Sequence, residues 1–379
     1  MKNIKQIIII FLLLTASILE AKNNNEVLKI EAGGSFQLDN IDWWKPCDDY
    51  KSGYRLNNVQ IKARAKNYKD ECLASIGVAF SFKEYFTISD LYGIMKKDEF
   101  SLKFGKMDYK IGLEDTIAEV NRTFMQPVLL KSDGPHEDFY GLEANVQAGI
   151  LNVRAAMFEE LMLYQLKKYF PCYSIRGFIN PNYKSLIQHL GGSYKVIYRE
   201  KKEKHNTTIT DLPPFDAPTP ILMSQVACLP ETAVWGIELI EIWKAISLQG
   251  EATLTKAYWK DYDYEYYKSA YIQFSIFLTG ESYGYDFNNG VILNPMPKRN
   301  IGAFELAFRY NYTDMTHRGP LMQSVSACDG KKTGYTIGMN WYASKNAKLQ
   351  INFTRTWYDH RLYSESRLDA LGIRTQFEF

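Results

Sequence analysis

Apolar and polar residues alternate with period two along most of the chain, and almost no stretch repeats at helical spacing. The run 28–38 sets the pattern: Leu28, Ile30, Ala32 and Phe36 share one face of an extended strand, and Lys29, Glu31, Ser35 and Gln37 share the other. In 54–66, Val59, Ile61, Ala63 and Ala65 oppose Gln60, Lys62 and Arg64; in 72–82, Ala74, Ile76, Val78, Phe80 and Phe82 alternate with Ser75, Gly77, Ala79 and Ser81. The same reading predicts strands at 85–94, 100–107, 138–147, 150–159, 190–200, 206–212, 233–243, 246–259, 266–280, 301–315, 332–342, 347–360 and 368–379, sixteen in all. Short turns at Asn67, Lys96, Ala148, Glu200, Lys244 and Ser344 alternate with longer connections, and 281–300 is the one long connector at the short-turn end. The segments 108–137 and 160–189 read as long loops, and 213–231 as a Pro-rich one.

Long, sequential, one-sided strands argue against a sandwich, whose apolar faces would meet in a core with Greek-key spacing. Glycine follows no fixed repeat, so a solenoid has little support. Aromatic residues gather near strand ends (Trp243, Tyr258, Trp259, Tyr310, Tyr312, Trp341, Tyr342, Trp357 and Tyr358), as they do where a barrel wall meets the two membrane interfaces. A closed barrel is also the β structure that satisfies every backbone group in lipid. The fold expected is all-β: a 16-stranded antiparallel transmembrane β-barrel. Its closing strand places Leu371, Ile373, Thr375, Phe377 and Phe379 on one face, and this ending resembles the signal by which bacterial outer-membrane barrels are recognised for insertion.

The start of the chain fits export. Lys2 and Lys5 precede an apolar run at 7–14, and Leu19 and Ala21 mark a cleavage position, so residues 1–21 read as a secretory signal peptide and 22–379 as a single barrel domain. The apolar run falls short of the roughly 20 residues of a membrane-spanning helix. Aromatic residues make up 15% of the sequence, and 45 Lys and Arg stand against 43 Asp and Glu. That balance speaks against a nucleic-acid partner. The five cysteines (Cys47, Cys72, Cys172, Cys228 and Cys328) form no CxxC or metal-like spacing, four of them lie in loop-like stretches, and no cofactor or metal is expected. The five histidines (His136, His189, His205, His317 and His360) sit in loops or at strand ends without a patterned Ser or Asp partner, which makes a barrel hydrolase the weaker class.

More specific text appears in the last third. The runs SAYIQFSIFLTGE (269–281) and IGAFELAFRYNYTDM (301–315), the segment 334–359 and the ending LGIRTQFEF together resemble the phosphate-selective porin O and P family. The resemblance implies an outer-membrane homotrimer in contact with lipid, through which small anionic solutes diffuse. It also implies that long loops and one long periplasmic turn fold into the lumen; 108–137, 213–231 and 281–300 stand at those places, carrying Lys110, Arg122, Lys131, Lys298 and Arg299. The middle segment holds no Arg or Lys, a departure from a strict phosphate pattern. Independently of the family, the polar strand faces carry Lys62, Arg64, Lys103, Arg154, Lys195, Arg199, Arg309 and Arg374, a basic excess that would raise local anion concentration. Lys62 and Arg64 are expected to meet Lys110, Arg122 and Lys131 at a constriction. A non-selective diffusion porin is the alternative, and an outer-membrane barrel enzyme a more distant one.

Overall fold

The strand Ala303–Asp314 shows how alternation becomes a wall: Ala303, Glu305, Ala307, Arg309, Asn311 and Thr313 are buried, while Leu306, Phe308 and Tyr310 between them are exposed. The computed structural model describes residues 27–44, 52–69, 72–82, 86–107, 110–130, 139–161, 169–198, 206–211, 215, 222–227, 231–259, 262–316, 330–360 and 366–379. In chain order its strands are β1 (Val27–Trp44), β2 (Gly53–Lys69), β3 (Cys72–Phe82), β4 (Phe86–Lys97), β5 (Phe100–Lys106), β6 (Phe139–Ala148) and β7 (Leu151–Leu161). They continue as β8 (Tyr169–Ile179), β9 (Asn182–Tyr183), β10 (Leu186–Tyr198), β11 (Asn206–Thr210), β12 (Met223–Ala227), β13 (Glu231–Trp243) and β14 (Ile246–Trp259). The last are β15 (Tyr262–Phe277), β16 (Gly284–Asp286), β17 (Val291–Leu293), β18 (Ala303–Asp314), β19 (Gly330–Ser344), β20 (Ala347–His360) and β21 (Ser366–Glu378). One short helix, α1 (Gly112–Thr116), follows β5.

Apart from the two-residue β9 and the small hairpins β11–β12 and β16–β17, sixteen described strands form one antiparallel sheet in sequence order. The sheet closes where β21 pairs with β1, from Ser35↔Glu378 to Trp44↔Asp369. Closure leaves no sheet edge, so the wall can face lipid with its backbone satisfied. Its outer surface carries Ile61, Ile76, Ile175, Ile237, Ile272, Ile337 and Met339, all exposed. At the end that carries both chain termini, tight turns join β4 to β5, β6 to β7, β13 to β14 and β19 to β20. Asp98, Gly149 and Lys244 take positive φ there (51°, 60° and 51°), the backbone sense that two-residue hairpins demand. The connector between β15 and β18 is the long exception at this end, as the sequence pattern indicates.

Sixteen is the expected number, but one member differs. β8 lies inside the stretch read as a long loop, and it pairs with both β7 and β10. The run read as the strand 206–212 is instead β11, which pairs only with β12 and stands apart from the wall. The supposed short turn at Glu200 therefore belongs to the long connection between β10 and β13, at the opposite end, and itself falls outside the described residues. Cys172 and His189, placed in loops by the sequence reading, are buried within β8 and β10. Tyr342 and Tyr358, assigned to the interfacial belts, point inward and are buried, whereas Trp243, Trp341 and Trp357 face out. The leader expected at 1–21 falls outside the described residues.

Candidate functional site

The barrel's apolar cores lie inside its lumen, because three chain segments fold inward and are held there by polar groups of the wall. The segment 110–130 is the first. Gly112 takes φ +75°, and a Cβ there would fall 2.0 Å from Glu251 Oε1, so only glycine lets the backbone come this close to the β14 carboxylate. Glu251 accepts the amides of Leu113 (3.0 Å) and Glu114 (2.7 Å). Glu114 in turn accepts the amides of Val128 (3.0 Å) and Leu129 (3.0 Å), which folds the segment back on itself.

Its carbonyls are taken by donors on four successive wall strands. Arg309 Nη1 on β18 donates to Gln126 O at 2.8 Å, and Asn340 Nδ2 on β19 to Thr123 O at 2.8 Å. Lys348 Nζ on β20 donates to Arg122 O at 2.7 Å; on β21, Arg374 Nη1 donates to Met125 O at 3.0 Å and Gln376 Nε2 to Val120 O at 2.9 Å. Hydrogen bonds from charged donors contribute about 1.5–3 kcal/mol each, so this set is strong enough to fix a loop against the wall.

The second inward segment is 278–302. Arg176 donates to the carbonyls of Asn289 (2.7 Å) and Gly290 (3.1 Å) and pairs with Glu238 at 2.8 Å. His189 bridges Glu238 Oε1 (2.9 Å) and the Tyr285 hydroxyl (2.7 Å). Burial pushes the Tyr285 and Tyr283 phenols above their ordinary value, and Glu305 adds to this at Tyr283, so both remain protonated donors. His189 Nε2–H donates to the Glu238 carboxylate, and Nδ1 and the Tyr285 hydroxyl share the second bond. Leu113 and Ile117 pack here with Ile240, Ile242, Tyr283, Val291 and Ile292, joining the two inward segments through one apolar cluster. Burying each such side chain is worth about 1.5–3 kcal/mol. The third piece is the β11–β12 hairpin with Phe215, tied to the wall by the buried pair Lys332–Asp211 and by the edge of Phe215 against Trp43.

The sequence-predicted basic residues divide along these lines. Arg309 and Arg374 face inward but are buried, Arg374 in a two-pronged pair with Asp39 and Arg309 beside Glu114, with Phe124 under its guanidinium. Their donors hold the inward segment 110–130, a use the alternation does not reveal. Lys195 is buried on β10. Lys298 and Arg299 are exposed at the terminus-bearing end, while Lys131 and Arg199 lie outside the described residues.

The wall formed by β2 to β7 keeps its inward groups partly open. Lys62 is exposed, and Arg64, Lys103, Lys110 and Arg154 are half-buried. Lys62 shares its electrostatic surroundings with Lys110, Asp90, Glu119 and Glu378; Lys103 shares its own with Glu143, Asp90, Lys110 and Arg154. Lys110 is thus an electrostatic neighbour of both Lys62 and Lys103. Arg64 bonds Ser75 Oγ (3.0 Å), Lys103 Nζ sits 4.1 Å above the Tyr92 ring, and Arg154 reaches Glu143 (3.5 Å) and Asn289 Oδ1 (2.7 Å). Arg122, by contrast, neighbours Arg309 electrostatically, and no contact joins it to Arg64 among the described residues. Arg176 escaped the sequence reading because its strand was taken for a loop, although Cys172, Ser174, Arg176 and Phe178 keep the two-residue spacing.

The family described as phosphate-selective porin O and P matches residues 216–379. No curated protein matches the chain in sequence. Among solved structures, the anion-selective porin from Comamonas acidovorans superposes with TM-score 0.58 at 12% identity, covering 93% of this chain and all of its own (100%). OmpT of Vibrio cholerae in its trimer form gives 0.55 at 10% identity (93% and 100% covered), and Salmonella typhi OmpF in complex with daunomycin 0.55 at 8% (93% and 100%). At such identities the likeness is one of fold. Fold and family match define the class: a 16-stranded porin barrel of the bacterial outer membrane. Within that class the C-terminal part of the chain is similar to the phosphate-selective porins, and both findings point to a channel rather than an enzyme.

Proposed function

We propose that the protein is a diffusion channel for small anions such as phosphate, and that its selectivity resides on the wall formed by β2 to β7 together with Lys110. One observation carries this reading: Lys62, Lys103 and Arg154 on that wall share a field with Lys110 at the start of the first inward segment, while Arg309, Lys348 and Arg374 on β18, β20 and β21 are occupied with main-chain carbonyls. A unit charge at ~4 Å is worth ~1 kcal/mol in bulk water and about four times that near a protein surface, so several acting together bias which ion enters. Asp90, Glu119 and Glu143 are interleaved with these cations, and a non-selective porin is the reading they favour. A planar-bilayer reversal potential in a KCl gradient separates the two: a potential of anion-selective sign supports the proposal, and one near zero supports the non-selective porin.

The trimer form of the OmpT neighbour supports assembly as a homotrimer. Export by a cleaved leader is part of the same reading: the mature amino terminus is Lys22, which terminal sequencing of outer-membrane protein checks.

A further inference from the structure

We propose that the wall behind the inward segment holds a fixed site for one halide ion, formed by Arg309 Nε, Gln126 Nε2 and Asn352 Nδ2. The site is independent of whether the channel prefers anions, because it lies beneath the inward segment 110–130 and off the open wall. A cavity of about 20 Å³ is lined by Gln126, Phe215, Arg309, Asn311, Lys332, Thr336, Asn352 and Thr354 among others. Gln126, Arg309 and Asn352 are each less than a tenth exposed, and each presents a buried nitrogen with no acceptor among the described residues.

The assignment of those nitrogens as donors is fixed by what the rest of each side chain does. Asn352 Oδ1 accepts the Met125 amide at 2.8 Å, so the atom left over is Nδ2. Gln126 Oε1 accepts the Phe215 amide, so the atom left over is Nε2. Arg309 Nε can only donate. Of the neighbouring polar groups, Thr336 bonds Thr354 at 3.0 Å and Lys332 pairs with Asp211.

Three unpaired donors select the guest. A water molecule accepts from at most two of them and leaves the third unmade, and an unmade buried hydrogen bond is costly. A monatomic anion accepts from all three and has nothing to donate. The volume exceeds the ~10–15 Å³ needed for a single small guest. The adjoining cavity of about 10 Å³ shares Arg309 and Gln126 but also presents Gln249 Oε1, an unpaired acceptor beside the unpaired Arg122 Nε, a mixed lining that suits water. A halide on Arg309, Gln126 and Asn352 ties β18 and β20 to the segment 110–130 at the point where Met125 and Gln126 are already bound.

Crystals of the full-length barrel grown with bromide in place of chloride, measured at the bromine edge, should show an anomalous peak within hydrogen-bond distance of all three nitrogens. Asn352→Asp retains an acceptor for the Met125 amide and supplies its own negative charge, so it should remove the peak while the barrel keeps its folded gel mobility. In solution the wild type should unfold at a higher temperature in bromide or chloride than in gluconate at equal ionic strength, and Asn352→Asp should lose that difference. Absence of a peak in the wild type, a peak that persists in Asn352→Asp, an oxyanion bound there instead, or a midpoint that follows ionic strength alone would each overturn the proposal.

Discussion

Arg374 donates through Nε and Nη2 to both carboxylate oxygens of Asp39, at 2.7 and 2.8 Å, directly across the seam where the last strand meets the first. The two residues face each other in register, neither is accessible to solvent beyond 2%, and Arg374 also carries the Met125 carbonyl. One side chain therefore links barrel closure to the placement of the inward segment 110–130. Breaking a buried pair from one side strands the other charge, at a cost of about 3–5 kcal/mol. Asp39→Asn should lower the urea midpoint of the folded form, read by heat-modifiable gel mobility, far more than Glu31→Gln, whose pairs with Lys29 and Lys66 are solvent-exposed. Equal effects of the two substitutions would contradict this.

Gly112 and Glu251 dock the inward segment 110–130 on the wall. Gly112→Ala introduces a Cβ into the Glu251 carboxylate at a positive φ, so the first turn of α1 can no longer dock. Single-channel conductance should rise and larger sugars should enter in liposome swelling, with the barrel still folded. Glu251→Gln, which keeps an acceptor oxygen for one of the two amides, should give an intermediate conductance.

Phe379 exchanges backbone hydrogen bonds with Gly34 (2.9 and 3.0 Å), and its ring lies where a Gly34 side chain would be. We propose that this exposed ring is also what the insertion machinery reads. Deleting Phe379 should reduce surface-exposed folded protein several-fold at constant synthesis. Gly34→Ala, which crowds the ring and the Gln60 carbonyl, should impair closure in purified refolding as well. If deletion slows purified refolding as much as assembly in cells, the ring serves closure alone.

The period-two pattern carried the wall because lipid outside and water inside impose opposite demands on successive side chains. It failed at β8, where Pro171 interrupts the run and the inward Cys172 and Phe178 are as apolar as the outward Tyr173, Ile175 and Ile179. Those inward residues are covered by other parts of the chain, so the contrast the pattern depends on is missing. The run 206–212 errs in the opposite way: NTTIT alternates like a wall strand, but its partner is Met223–Ala227. The inward direction of Arg309 and Arg374 could be read from the sequence; their occupation by carbonyls 183 and 249 residues away could not, because it depends on where a long loop folds.

The central claim is that the open wall, and not the buried cations, sets ion preference. Lys62→Glu combined with Lys110→Glu reverses two charges that share that field. In a planar bilayer under a KCl gradient, the wild type should give a reversal potential of anion-selective sign, and the double variant should move it toward the cation side, more so at low salt where screening is weak. A wild type that is already cation-selective, or a double variant whose reversal potential at low salt equals that of the wild type, would contradict the account.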